Sequence, residues 1–146
     1  SLESDVEPGD FDANFSEDSF CDFSVVLSAL EDSSCVVLDA RSSGRFYGTA
    51  PEPRPGIRGG HMPNAKNLPF PELLSGGAMK PVAELQEIFG ALIAEDQRLI
   101  TSCGSGLTAC ILTFAAYLAG HRELSVYDGS WIEWGAPSKL PVVTDD

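Results

Sequence analysis

Three short apolar runs constrain the fold of this chain more than any other feature of its sequence. They are Cys35–Asp39, Leu99–Ser102 and Leu124–Tyr127. Apolar runs this short are typical of strands that are buried on both faces, as in parallel sheets. Segments with helical spacing separate them, so strand and helix alternate along the chain. The sequence therefore predicts an α/β domain with a mainly parallel sheet of about five short strands, flanked by helices on both faces.

The connecting segments complete this prediction. The stretch from Arg41 to Pro71 is rich in Gly and Pro, and long loops in compact domains are usually functional. Gly120 follows an apolar helical pattern, and we expect it to close that helix. The other predicted elements are helices over about 22–32, 43–47, 81–94 and 107–119, a short strand over 65–68 and an aromatic turn at 131–134.

Length and cysteine usage indicate a single domain with reduced thiols. The 146 residues fit one domain, predicted to cover 19–146 after an acidic flexible arm or linker remnant over 1–18. No apolar run is long enough to cross a membrane, and the acidic start does not resemble a secretory signal. Four cysteines without a CxxC pair, and only two histidines, predict no metal site and no cofactor. We therefore expect an intracellular protein, cytoplasmic or mitochondrial.

The charge distribution favours a small anionic ligand. A formal net charge of −13 repels phosphate backbones and anionic lipids, which disfavours nucleic acids and membranes as partners. Within this acidic chain, four of the nine basic residues lie in one short stretch. Such a cluster fits a site for a small anion, and it equally fits ion pairs with neighbouring acids. The four residues are Arg41, Arg45, Arg54 and Arg58.

Cys103 is the candidate catalytic residue. It follows the predicted strand Leu99–Ser102 and precedes Gly104-Ser105-Gly106 and a helix, a position where ligands bind in open α/β sheets. The unpaired amides of such a loop, together with the helix dipole, favour a thiolate over a thiol. We expect this thiol to be exposed, with hydroxyl donors nearby from Ser105 and Thr108.

Two related chemistries are disfavoured by the residues present. A cysteine phosphatase needs an arginine six residues after its nucleophile, where this chain has Ala109. A Cys–His hydrolase needs a base, yet His61 lies in a turn where we expect a structural role. His121 follows a helix end, where we expect it to cap the helix or face solvent. The remaining thiols, Cys21, Cys35 and Cys110, receive no catalytic role, the last because its place on an apolar helix predicts burial in the core.

The loop that starts at Cys103 resembles the active loop of the 3-mercaptopyruvate sulfurtransferases, a family of the rhodanese superfamily. The resemblance covers about Val36 to Val143 and implies the C-terminal, catalytic domain of that family. The departures are Leu107, where Val is usual, and Asn64, where Gly is usual, and neither removes a functional group. Further matching segments are Leu38–Arg41, Gly44–Phe46, Pro51–Gly56, Gly60–Ala65 with Asn67, and Tyr127–Gly135.

This resemblance implies a role for each candidate residue. The Cys103 thiolate would attack the sulfur of 3-mercaptopyruvate, release pyruvate and hold a persulfide until a thiol, thioredoxin or cyanide accepts the sulfur. Ser105 would orient the reacting groups or relay a proton. Arg41 and Arg58 are assigned to structural pairing. The substrate-binding residues would be Arg45, Arg54, Gly104, Gly106, Leu107 and Thr108.

The resemblance leaves other functions open. Members of the family usually have a second, N-terminal rhodanese-like domain that forms the far wall of the cleft. A start at Ser1 favours an excised or processed half over a single-domain enzyme, and for such a half we expect weak turnover in an open cleft. The alternatives are a persulfide carrier supplied by a desulfurase, a thiosulfate sulfurtransferase and a non-catalytic binding module, the last disfavoured by the retained cysteine and arginines.

Overall fold

The structure is a computed structural model that describes residues 20–104 and 107–144, so the predicted arm over 1–18 lies outside the described residues. The strands are β1 (Phe20–Cys21), β2 (Cys35–Asp39), β3 (Lys66–Asn67), β4 (Leu74–Ser75), β5 (Ala78–Met79), β6 (Arg98–Ser102) and β7 (Leu124–Tyr127). The helices are α1 (Phe23–Ala29), α2 (Ser43–Phe46), α3 (Val82–Gly90), α4 (Leu107–Leu118) and α5 (Ser130–Trp134), with a 3₁₀ turn at Phe70–Leu73.

Five of these strands form one parallel sheet, in the order β1–β7–β6–β2–β3. The central strand β6 pairs with β2 along its whole length, from Arg98 beside Cys35 to Ser102 beside Asp39. Strands β4 and β5 form a separate antiparallel hairpin. The predicted α/β architecture is confirmed. Because the strands are parallel, their carboxyl ends meet at one edge of the sheet.

Helices cover both faces of this sheet, as predicted. Successive residues of a strand point to opposite faces, so Val36 and Leu38 belong to one core cluster and Val37 belongs to the other. Helices α3 and α4 and the 3₁₀ turn contribute to the first cluster, and α1 and α5 contribute to the second. The sheet is thus fixed between two apolar layers, which hold its carboxyl edge in place.

Helix α1 is shorter than the helix predicted over 22–32. It begins after Asp22, whose side chain accepts hydrogen bonds from two backbone amides of the first turn. Phe20 belongs to the edge strand β1, so the chain is extended just before the helix. On the helix itself Phe23 and Leu27 are exposed, while Val26 is fully buried.

Helix α4 ends where the sequence predicts. Gly120 has a φ of +112°, a left-handed conformation that glycine adopts without strain. The amide of His121 donates to the carbonyl of Ala116 at 3.0 Å, so this histidine lies at the helix end. No helix within the described residues is long and apolar enough to cross a membrane.

The long segment between β2 and β3 is held by buried polar contacts rather than by regular structure. His61 is buried, its Nδ1 lies 2.8 Å from the carbonyl oxygen of Phe46, and the two rings stack with centroids 3.8 Å apart. The backbone of His61 also bridges to Val143 near the end of the described chain. The structural role predicted for His61 is confirmed by these contacts.

Candidate active site

Cys103 lies at the carboxyl edge of the sheet, directly after the central strand β6. The start of helix α5 holds its loop in place: the amide of Trp131 donates to the carbonyl oxygen of Cys103 at 2.7 Å, and the amide of Ile132 donates to that of Gly104 at 3.1 Å. Helix α4 begins at Leu107, four residues after Cys103 in the sequence. Ser105, Gly106 and the Leu107 side chain lie outside the described residues, so the predicted cradle of amides stays a prediction.

The exposure predicted for Cys103 is wrong. Its exposed fraction is 0%, and it belongs to the core cluster between the sheet and helices α3 and α4. Glycines after a strand remove side chains from a loop, but they do not expose the loop to solvent when other elements pack against it. Here Cys103 packs in the core with residues of α3 and α4, and α5 donates two hydrogen bonds to the loop carbonyls. A substrate atom therefore reaches this sulfur only when the atoms that cover it move.

The burial predicted for Cys110 is also wrong. Its side chain is exposed, whereas the neighbouring Ala109 and Leu112 are fully buried, so Cys110 lies on the solvent side of α4. Partial desolvation nevertheless raises the pKa of Cys110 above its ordinary value. Burial likewise raises the pKa of Cys21 to about 11. Both thiols are therefore mostly protonated at neutral pH and are weak nucleophiles.

A cleft of about 560 Å³ opens beside the Cys103 loop. Four of the predicted substrate-binding residues line it together, namely Arg45, Arg54, Gly104 and Thr108. Apolar side chains, among them Phe70 and Ile132, complete its walls. Parallel strands explain this convergence, because the segments that follow β2 and β6 emerge at the same edge of the sheet.

Arg45 approaches the loop closely. A Cβ atom added to Gly104 would lie 2.8 Å from Nη2 of Arg45, so any side chain at this position would displace the guanidinium that lies beside it. Arg54 also borders the cleft but is exposed. It makes no ion pair with any residue in 20–104 or 107–144. The cleft thus presents one anchored and one solvated guanidinium.

Arg41 and Arg58 have structural partners, as predicted. Arg41 is buried, binds Asp39 through Nη2 at 2.7 Å and lies over the Trp131 ring at 4.1 Å. Arg58 donates to the carbonyl oxygens of Trp134, Gly135 and Ala136 rather than to an acid. These contacts tie the Gly- and Pro-rich segment to β2 and α5.

Glu52 is a residue of the cleft that sequence reasoning did not single out. Its carboxylate pairs with Arg41 at 3.1 Å and with Arg45 at 2.8 Å, and it lines the cleft. Together with Asp39 these residues form an alternating series, Asp39–Arg41–Glu52–Arg45, which we call the charge chain. The sequence feature that could have indicated Glu52 is its position between two prolines inside the basic stretch, but this feature does not predict burial.

Comparison with known proteins assigns this chain to a family. The rhodanese-like domain matches residues 23–137. A 3-mercaptopyruvate sulfurtransferase of Escherichia coli (strain K12) is 39% identical over 139 residues, which are 94% of this chain and 50% of that protein. The thiosulfate/3-mercaptopyruvate sulfurtransferase 1, mitochondrial, of Arabidopsis thaliana is 40% identical over 139 residues, which are 94% of this chain and 37% of that protein.

A solved structure agrees with these matches. The crystal structure of SseA from Escherichia coli superimposes with a TM-score of 0.68 at 33% identity, over 80% of this chain and 44% of that chain. The present chain thus spans half or less of the length of these relatives. The matched range contains four of the five strands of the parallel sheet, the charge chain and the Cys103 loop. The chain therefore belongs to the rhodanese-like domain family.

Proposed function

We propose that this chain carries the sulfur-accepting centre of a 3-mercaptopyruvate sulfurtransferase. The Cys103 thiolate attacks the substrate sulfur, a sulfur–sulfur bond forms and the carbon–sulfur bond of the substrate breaks. The electron pair of that bond leaves on carbon as the enolate of pyruvate, which takes up a proton to give pyruvate. A thiol, reduced thioredoxin or cyanide then accepts the outer sulfur of the Cys103 persulfide and restores the thiolate.

The observation that carries this proposal is the Arg45 guanidinium beside Gly104, next to the cysteine that directly follows the central strand. A 2-oxo acid presents a carboxylate, and arginine binds carboxylates through paired hydrogen bonds. Arg54 supplies a second cation on the same cleft. The names of the relatives support the same substrate class.

The loop residues have proposed roles of their own. Backbone amides of Gly104, Gly106 and Leu107 would stabilise the thiolate and the anionic persulfide at the start of α4. Ser105 would orient the reacting sulfur or relay a proton, and Thr108, which lines the cleft, would donate its hydroxyl. A second rhodanese-like domain would close the cleft. An intracellular location, cytoplasmic or mitochondrial, stays a prediction.

Intact-mass measurement of the chain after exposure to 3-mercaptopyruvate tests the proposal. We expect a one-sulfur adduct that fragmentation maps to Cys103, pyruvate in equal amount, and loss of the adduct when reduced thioredoxin or cyanide is added. A chain that releases pyruvate without gaining sulfur, or that gains sulfur only at another cysteine, would contradict the mechanism.

Replacing Arg54 with alanine should weaken substrate capture. Because a charged hydrogen bond contributes about 1.5–3 kcal/mol, we expect the substrate concentration for half-maximal sulfur loading to rise roughly 10- to 150-fold. Arg122→Ala is the matched control, since it removes one exposed positive charge beyond the far end of α4. Equal saturation curves for Arg54→Ala and wild type would remove Arg54 from the site.

Thiosulfate should be a slower sulfur donor than 3-mercaptopyruvate. The loop from Cys103 to Ala109 contains no Lys or Arg, so it offers a dianion no compensating charge. We expect measurable Cys103 loading by thiosulfate with a lower second-order rate constant, determined by quenching and mass measurement at equal donor concentrations. Equal or faster loading by thiosulfate would favour the alternative of a thiosulfate sulfurtransferase.

A further inference from the structure

Glu52 is a buried carboxylate placed directly in the wall of the cleft. Only 4% of its side chain is exposed. Its Oε2 accepts from Nη1 of Arg41 at 3.1 Å and from Nε of Arg45 at 3.3 Å, and its Oε1 accepts from Nη2 of Arg45 at 2.8 Å. An acid at this depth beside an anion-binding cleft opposes the binding of any anion, so its presence requires an explanation other than affinity.

The first consequence of Glu52 concerns the charge of the cleft. The charged side chains that line it are Arg41, Arg45, Arg54 and Glu52, and Asp39 lies behind Arg41 within the charge chain. The charge chain itself is neutral, because its two acids balance its two arginines. The site as a whole therefore carries one net positive charge, which comes from the exposed Arg54.

The second consequence concerns the orientation of Arg45. Glu52 engages Nε and Nη2 of this guanidinium, while Nη1 has no acceptor within the described part of the chain. A guanidinium held on one edge keeps its remaining donors in a fixed direction. Arg45 is thereby prepared to donate hydrogen bonds to an anion while most of its charge is already compensated.

We propose that Glu52 is a specificity-determining residue, which matches the cleft to singly charged 2-oxo acids and disfavours doubly charged anions. The inference rests on the proposed function, because it names the substrate charge that the same site selects. The energy of repulsion between a negative charge in the cleft wall and a bound dianion is about twice that with a monoanion at the same distance. Since this interaction is weakly screened inside the protein, removing it should change the preference between the two ligand charges.

Equilibrium binding of two probe anions to the full chain tests this inference without requiring turnover. Pyruvate serves as the monoanion and sulfate as the dianion, and calorimetry gives a Kd for each at fixed ionic strength. We expect Glu52→Gln to shift the ratio of the sulfate Kd to the pyruvate Kd about tenfold in favour of sulfate. Glu52→Asp retains the charge and should keep the ratio within about twofold of wild type.

A matched control separates the local charge from the net charge of the protein. Glu87→Gln removes one exposed carboxylate from helix α3 and should leave the ratio unchanged. Arg54→Gln, an exposed position, removes a positive charge from the cleft and should shift the ratio toward pyruvate. If Glu52→Gln does not fold, Arg54→Gln tests whether the charge of the cleft sets the ratio of the two Kd values.

The outcomes distinguish the two proposals. An unchanged ratio in Glu52→Gln, a shift toward pyruvate, or an equal shift in Glu87→Gln would overturn the role of Glu52, as would an unchanged ratio in Arg54→Gln. If wild type binds neither anion, both proposals fail. If the variants shift the ratio as expected but wild type takes no sulfur from 3-mercaptopyruvate, the role of Glu52 stands and the proposed sulfur transfer is wrong.

Discussion

Replacing Cys103 with alanine is expected to abolish sulfur capture from 3-mercaptopyruvate, whereas Cys110→Ala is expected to leave it intact. Cys103 directly follows the central strand beside the Arg45 guanidinium, whereas Cys21 ends the edge strand β1. Cys110 is exposed, but its raised pKa leaves little thiolate at neutral pH. Position beside the Arg45 guanidinium therefore outweighs accessibility in selecting the nucleophile.

The measurement compares the two variants and wild type by intact mass after brief exposure to the substrate. A bulky aromatic disulfide provides the complementary probe, because it should label exposed Cys110 much faster than buried Cys103. The small substrate should show the opposite preference, since Arg45 and Arg54 concentrate its carboxylate at the cleft. Equal one-sulfur adducts on Cys103→Ala and wild type would remove Cys103 from the mechanism.

The fold could be predicted from the sequence because its signals are local. The apolar runs that form β2, β6 and β7 are buried on both faces, so successive residues within each run indicate a buried strand. Gly120 terminates α4 through the conformation of its own backbone. The edge strand β1 was missed because two residues at Phe20 form no pattern of their own. Their pairing with β7 makes these two residues a strand. A pairing between segments that are distant in the sequence cannot be predicted from the local pattern of one sequence.

The sequence predicted which residues line the cleft, but it did not predict the burial of the Cys103 thiol. Arg45, Arg54, Gly104 and Thr108 line the same cleft because parallel strands bring their loops to one edge. Cys103 is buried in the core cluster that includes residues of helices α3 and α4, and helix α5, which starts nearly 30 residues later along the chain, binds the carbonyl oxygens of its loop. No local pattern encodes these contacts.

The role of Glu52 was missed for a related reason. Its partner Arg41 lies 11 residues before it, across a segment without regular structure, so no spacing rule connects the two. Charge alone left open whether the arginines bind an anion or pair with acids. The structure shows that both apply to different members of the cluster: Arg41 is fully paired, Arg45 is partly paired and Arg54 borders the cleft.

Asp39 should be the most important single side chain for the stability of this edge of the sheet. Its carboxylate accepts hydrogen bonds from Nε and Nη2 of Arg41 and from the Arg41 backbone amide, and both side chains are almost completely buried. Asp39→Ala would leave the Arg41 charge with Glu52, the Gly60 carbonyl and the Trp131 ring as partners. Breaking a buried ion pair from one side costs about 3–5 kcal/mol, so we expect the free energy of unfolding to fall by about that amount.

Urea unfolding monitored by tryptophan fluorescence measures this loss, and Asp128→Ala is the matched control. Asp128 also follows a strand, β7, but its side chain is exposed, so its removal should change the free energy of unfolding by less than about 0.5 kcal/mol. Asp39→Asn keeps the acceptor oxygen while losing the charge and should fall between wild type and Asp39→Ala. A loss below about 1 kcal/mol in Asp39→Ala would mean that the pair behaves like a solvated surface ion pair. The charge chain would then orient Arg45 without stabilising the fold.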